Sequence, residues 1–366
     1  MPIKVLVISN YTDYHSTRPE ASIFIGLAKL GLDIRIMTYF PTGHQKEFDE
    51  AGIQVIDFHP RKKNDKTEIK RIRDYIINEK IDIMHLFNSQ SSVAGIAAAK
   101  GLPVKVLLYR GYEGNINWWD PTAYRKYLHP RVDKIFCNSI GVEEYLKRQL
   151  IFGKDKAVTI NKGHNVAWYD GYDAVDIRKE LGLAPDTFLM VNVANNRRMK
   201  GIPYLLEAMN HISADSNIHL LLIGRNMDNK KNRSIIAKGP NASKVHFLGF
   251  RTDVLNIVAA CEVFVLSSLF GESITKSVIE AMSLEVAPVI TDIPGNLELV
   301  EDGISGLVVP KRDGKAIAEA VLKLYNDPAL RESIGKAAKR HIAEKLNEQQ
   351  TIVKTKALYE GVLGRG

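Results

Sequence analysis

The feature that most constrains this chain is an alternation, run through twice, of short apolar strand-like segments with longer amphipathic ones. The first series places strands at residues 4–9, 33–38, 54–57, 83–86, 104–109 and 134–138. Between them, residues 21–30 and 66–79 carry apolar side chains at helical spacing. The pattern restarts around residues 158–165. A second series of strands follows at 187–193, 219–223, 245–247, 263–267, 287–291 and 306–309, with helices at 203–212, 274–283 and 316–326. Strand and helix in regular alternation argue for a parallel sheet flanked by helices, because a parallel neighbour needs a long crossover. Two such series predict an α/β chain of two doubly wound, Rossmann-like domains. Their ligands are expected outside the carboxyl ends of the strands. The boundary is expected at residues 167–168, so that the first domain spans 1–167 and the second 168–344. A last helical stretch at 342–363 has no strand after it.

Length and composition agree with this division. A chain of 366 residues is long for one core and comfortable for two. No apolar run reaches the roughly 18 residues that a membrane-spanning helix needs. The opening segment, residues 1–9, lacks the length and cleavage pattern of a signal peptide and reads as a first buried strand. A cytoplasmic location is therefore expected. Cys137 and Cys261 sit in apolar stretches without metal-ligand spacing, as buried reduced thiols do. The formal net charge of +8 favours anionic partners. Nucleic acid ranks last among them, since neither zinc-finger nor RNA-binding signatures occur.

The residues with the clearest chemical logic lie in Phe270-Gly271-Glu272-Ser273-Ile274-Thr275-Lys276, between a predicted strand and a predicted helix. A helix start offers unpaired N–H groups and a positive dipole end, which suit a phosphate. Ser273 and Thr275 are good capping residues, and Lys276 adds positive charge. Glu272 and Glu280 bracket the turn, and Glu280 is placed to accept hydrogen bonds from a ribose diol. A second cluster, Asn195-Asn196-Arg197-Arg198-Met199-Lys200-Gly201, opens another strand-to-helix connection with three cations. Gly224 ends a strand, and Phe250 and Arg251 follow one. No Asp-x-Asp tripeptide and no His/Asp cluster at ligand spacing points to a metal, so none is expected.

These segments together resemble glycosyltransferase family 4, the glycosyl transferases group 1. The family signature has a glutamate, a small residue and a short turn before a second glutamate and Ala-Met, as in Glu272 to Met282. Ala287-Pro288-Val289, Gly295, Glu298-Leu299-Val300, Asp302-Gly303 and Gly306-Leu307-Val308 add to the likeness, while Glu285 and Ala287 stand where the family usually has Gly and Pro. The resemblance implies a GT-B fold whose two domains face each other across a cleft, with the C-terminal helix, about 345–366, packed back on the first. It implies a retaining, metal-independent hexosyl- or N-acetylhexosaminyl-transferase that needs no cofactor. Lys200 with Arg197 or Arg198 would grip the donor diphosphate, and Glu272 would contact the sugar hydroxyls. Ser273, Ile274, Thr275, Lys276, Gly224, Asn195, Phe250 and Arg251 would complete the donor site. A UDP-sugar is favoured over a GDP-sugar.

The first domain would then bind the acceptor. Where the family commonly has His before Gly, this chain has Arg110-Gly111, so His85 is the alternative histidine on that side. Asn10, Tyr11 and Glu113 are expected there too, with residues 10–18 as a loop. The aromatic and basic stretch 110–131, with Tyr112, Trp118, Trp119, Tyr124 and Tyr127, suits a carbohydrate or a membrane interface. The basic helix over 66–79 suits either anionic lipid or solvent. The implied acceptor is a glycan or lipid-linked glycan of bacterial surface polysaccharide or lipopolysaccharide. Peripheral contact with an anionic membrane is the further partner. The rival readings are a sugar-nucleotide epimerase on the same fold and a non-catalytic nucleotide-sugar-binding subunit.

Overall fold

The computed structural model describes residues 2–365. The chain divides into two compact units, Met1–Gly163 with Leu346–Gly366, and His164–Lys345. In the first unit, β1 (Lys4–Ile8), β2 (Asp33–Thr38), β3 (Gln54–Asp57), β4 (Ile83–Leu86), β5 (Lys105–Arg110), β6 (Lys134–Cys137) and β7 (Ala157–Thr159) form one parallel sheet in the order β3-β2-β1-β4-β5-β6-β7. In the second, β8 (Phe188–Val193), β9 (Ile218–Ile223), β10 (Val245–Gly249), β11 (Val263–Leu266), β12 (Ala287–Thr291) and β13 (Leu307–Val309) form another, in the order β10-β9-β8-β11-β12-β13. Both are doubly wound Rossmann-like sheets, as the alternation predicts. The central strands read as unbroken apolar runs because helices cover both faces; every residue of β4, β11 and β12 is buried. The strand order reverses between β1 and β4 and again between β8 and β11. At those points the flanking connections diverge and leave a crevice for ligands.

Two helix boundaries differ from expectation for local reasons. Residues 14–18 are not a loop, because the first helix runs Tyr14–Lys29, with Pro19 inside it and Asp13 accepting the Ser16 N–H at its start. The cap outweighs the polar character of the first turn. Near the end, residues 342–363 are not one helix. One helix, Pro328–Lys345, closes the second unit, and Glu348–Val362 begins anew after Asn347 caps the Gln350 N–H. That last helix packs on the first unit. Ile352 lies so close to Gly26 that a Cβ there would meet it at 2.2 Å, and the Gly163 N–H donates to Thr351 Oγ1 at 2.9 Å.

Glu285 has φ 61, a left-handed conformation that favours glycine, and its carboxylate lies 3.3 Å from Lys339 Nζ. The family's usual Gly at this place would carry no such strain. Both cysteines are buried and unbonded to each other, and burial pushes the Cys137 thiol up to about 12. Among the described residues no helix is long and apolar enough to cross a membrane.

Candidate active site

The loops after β8 and β11, on either side of the second sheet's switch point, are locked together by their backbones. Gly201 has φ 63, and a Cβ there would fall 1.9 Å from the Ser267 carbonyl oxygen. The Leu269 N–H donates to Met199 O at 2.7 Å and Ser267 Oγ to Lys200 O at 2.9 Å. Gly224, at φ 140, lies so close that a Cβ would sit 1.9 Å from Ala194 O. Only glycine permits either approach.

This packing brings Lys200 to Glu272, 72 positions later. Lys200 Nζ donates to Glu272 Oε1 at 2.5 Å, and Ser268 Oγ donates to the same oxygen at 2.8 Å. The two charged side chains are 17% and 11% exposed, so the pair is shielded without being sealed off. Four residues on, the helix Lys276–Ser283 begins with Thr275 at its N-cap position, and the Thr275 side chain makes no capping bond. Its hydroxyl turns instead toward Glu272 Oε2, at 3.4 Å. The first N–H groups of that helix thus keep their capacity to bind an anion. Ser273 is buried, and its Oγ has no hydrogen-bond partner among the described residues. Ile274 is buried beside it.

The remaining expected donor residues are placed as follows. Lys276 pairs with Glu280 one turn along the helix, so Glu280 carries its own counter-ion. Asn195 accepts the Arg225 N–H at 2.9 Å, which holds the loop after β9 against the loop after β8. Phe250 is 66% exposed, with the Arg225 guanidinium 5.1 Å from its ring centroid. Arg197 and Arg198 are exposed and line a cavity with Tyr204, Phe270, Lys231 and Arg312. Lys231 and Arg312 were not singled out in the sequence, where each stands in an ordinary polar stretch. Arg251 is a correction. Its guanidinium is committed to Asp253 Oδ2 at 2.7 Å and Glu180 Oε1 at 2.6 Å, which raise its pKa further and leave little for a ligand.

Of the residues expected to meet the acceptor, the structure corrects three. Tyr11 is fully buried against Phe48, with burial and Glu20 raising its pKa, so it belongs to the core. His85 is buried too. Its Nδ1 lies 2.7 Å from the Tyr359 hydroxyl, and burial, reinforced by Lys162, pulls its pKa down to about 3. Arg110 is 3% exposed and holds its own loop: Nε donates to Tyr112 O at 2.8 Å, a second nitrogen donates to Gly114 O, and the guanidinium stacks on Tyr112. Arg110 turns inward because its own loop supplies carbonyl acceptors and His85 because the last helix supplies Tyr359, while Tyr11 packs its ring on Phe48. Asn10 stays exposed, its Oδ1 accepting from Thr12, and Glu113 is half-buried in the loop after β5.

The structure also shows a polar cluster that the sequence did not single out. At the ends of β1 and β7, Lys162 Nζ donates to Glu20 Oε2 at 3.0 Å and Ser9 Oγ to Glu20 Oε1 at 2.5 Å. The Lys162 ammonium sits 4.2 Å from the Tyr109 ring centroid. Burial works to discharge Lys162, yet its pKa is raised, because Tyr109 and Glu20 face it.

Two family models match the chain: one described as glycosyltransferase family 4 over residues 22–168, and one described as glycosyl transferases group 1 over residues 173–341. A curated relative, the capsular polysaccharide biosynthesis glycosyltransferase CapM of Staphylococcus aureus, is 24% identical over 361 residues, covering 92% of each chain. Among solved structures, a glycosyltransferase from Rickettsia africae superposes with a TM-score of 0.82 at 18% identity, covering 100% of both chains. Anabaena HepE in complex with UDP superposes with a TM-score of 0.77 at 17% identity, covering 99% of this chain and 100% of that one. At such identities the likeness shows the fold, which is GT-B.

Proposed function

Because the chain belongs to the glycosyl transferases group 1, we propose that it moves a sugar, with retention, from a nucleoside-diphosphate donor to a glycan or lipid-linked acceptor. The observation that carries this reading is the Lys200–Glu272 pair beside an uncapped helix start. A departing diphosphate gains negative charge as the glycosidic bond breaks. Lys200, an arginine of the Arg197-Arg198 turn and the N–H groups after Thr275 would stabilise that charge more in the transition state than in the ground state. An arriving diphosphate competes with Glu272 for Lys200. Glu272 is then released to accept from the sugar hydroxyls, while Ser273 Oγ gains a partner. Glu280 would take the ribose diol. The acceptor proton would pass to a phosphate oxygen of the donor, so no protein base is needed. This reading requires no metal ion, and activity should survive EDTA.

A uridine donor is favoured by the UDP-bound HepE structure, and an acceptor in surface-polysaccharide synthesis by the role printed for CapM. The first unit is assigned to the acceptor. Its exposed face supports a peripheral membrane contact: Trp118 and Trp119 are 55% and 67% exposed and Phe152 86%. The Trp118 N–H donates to Gln149 Oε1 at 3.2 Å, which sets the tryptophans beside the end of helix Ile140–Gln149, with its Lys147 and Arg148. Aromatic rings with basic neighbours suit a headgroup boundary.

The direct test is a thermal-shift panel of UDP, GDP, ADP and their sugars on wild type and on Lys200→Ala. A nucleotide at about 100 times its Kd stabilises by roughly 2.7 kcal/mol. One nucleotide family should stabilise the wild type and do so less in the variant. If no nucleotide shifts the melting, the donor-site reading is wrong. Incubation with donor alone separates transfer from epimerisation, and NMR of the product anomer reads retention.

A further inference from the structure

The cavity beside the basic turn has a feature that the donor reading does not use. Its volume is about 700 Å³, and among the described residues Arg197, Arg198, Lys231 and Arg312 are its charged lining. None of the four makes an ion pair among the described residues, nor does any carboxylate line the cavity. Two other cations of this unit show what a matched charge looks like here. Arg233, two residues after Lys231, pairs with Asp228 at 2.6 Å, and Arg178 pairs with Glu262 at 2.6 Å. Four like charges around one hollow raise its potential and favour an anion within it.

The arrangement is also built rather than incidental. The four cations come from three separate connections, after β8, β9 and β13, all at the carboxyl end of the sheet. Arg312 has φ 65, a left-handed conformation that is strained for a residue with a side chain. The backbone on both sides imposes it: the Lys311 N–H donates to Asp292 Oδ1 at 2.9 Å, and Asp313 caps the Ala316 N–H at 2.9 Å. Strain of this kind concentrates where a side chain has a task. Tyr204 and Phe270 add ring faces to the lining. The Asn232 side chain is already spent on Met227 O, at 2.7 Å, so recognition here rests on charge and on those rings.

We infer that this cavity is a second anion site, which takes a ligand with several phosphate, sulfate or carboxylate groups on Lys231 and Arg312 together with the Arg197-Arg198 turn. The ligand is either a free oligophosphate or the charged substituents of a glycan. The site shares Arg197 and Arg198 with the basic turn, but Lys231 and Arg312 belong to it alone, and it stands whether or not the donor reading holds.

Isothermal titration of the full chain at low salt tests it, with tripolyphosphate, a sulfated oligosaccharide, its desulfated form and UDP as titrants. The variants are Lys231→Glu with Arg312→Glu, both positions exposed, and Lys200→Ala, each checked for an unchanged melting profile. At least one polyanion should bind the wild type, weaken at least tenfold in the double variant, stay within threefold in Lys200→Ala, and weaken with added salt. Binding of tripolyphosphate alone assigns the site to free oligophosphate. Binding of the sulfated but not the desulfated sugar assigns it to a charged glycan. The inference is overturned if neither polyanion binds at millimolar concentration, or if Lys200→Ala loses as much affinity as the double variant. UDP binding lost in Lys200→Ala and kept in the double variant reports on the donor reading separately.

Discussion

Each unit holds a lysine–glutamate pair at the carboxyl end of its sheet, and the surroundings of the two differ. In the first, Lys162 and Glu20 meet at 3.0 Å among Ser9, Tyr109 and Phe87, and every charge there has a partner. In the second, Lys200 and Glu272 meet at 2.5 Å beside an uncapped helix and an unpartnered Ser273 hydroxyl. A closed pair pins the helix Tyr14–Lys29 to the end of the sheet. An open one keeps binding capacity in reserve. We propose that the same two residue types serve architecture in one unit and chemistry in the other, because what counts is the unsatisfied polar groups around them.

The sharpest way to break this contrast is to remove one partner from each pair. Glu20→Ala should cost about 3–5 kcal/mol of stability, since it strands a buried ammonium. Urea denaturation reads the loss directly. Lys200→Ala should instead lower transfer rate about 10²–10³-fold, the usual cost of one charge-stabilising donor. Its melting temperature should fall less than that of Glu20→Ala, because Ser268 still donates to Glu272. Equal destabilisation by the two substitutions would mean that both pairs are structural.

A smaller effect sharpens the comparison through pH. His85, beside the closed pair, has its pKa lowered to about 3, first by burial and then by Lys162. The unfolded chain therefore binds a proton that the folded chain refuses. The stability contributed is full above the unfolded pKa of about 6.5 and is lost as pH falls from there toward about 3. The slope is about 1.4 kcal/mol per pH unit. Denaturation midpoints at pH 7, 6 and 5 should decline in wild type and decline less in His85→Gln. The smallest expected change is that of Trp119→Ser, within about 0.5 kcal/mol in stability. Co-sedimentation with anionic vesicles should nonetheless drop, and an unchanged distribution would remove this face as the membrane contact.

Much of the fold was legible because strand and helix periodicity is a local property. The boundaries of β2, β3, β4 and β12 fall at the residues that the apolar runs mark. The two helix starts that depart from the apolar pattern carry local capping signals instead: Asp13 with Ser16, and Asn347 with Gln350. Site residues were harder. The sequence presents Tyr11, His85, Arg110 and Arg251 as groups at strand ends, with nothing local to say which way they turn. Glu20 and Lys162 gave no signal at all, being ordinary charged residues 142 positions apart.

By itself, then, the sequence determined two alternating α/β series, the glycine positions that let loops approach, and the charged residues in each strand-to-helix connection. These follow from spacing and from the backbone freedom of individual residues. Only the tertiary structure decided which charges are neutralised. Lys200 meets Glu272 across the switch point, Arg251 is spent on Glu180 and Asp253, and Arg197, Arg198, Lys231 and Arg312 surround one cavity. Pairing and burial depend on neighbours far along the chain, and the field at a site is the sum over those neighbours.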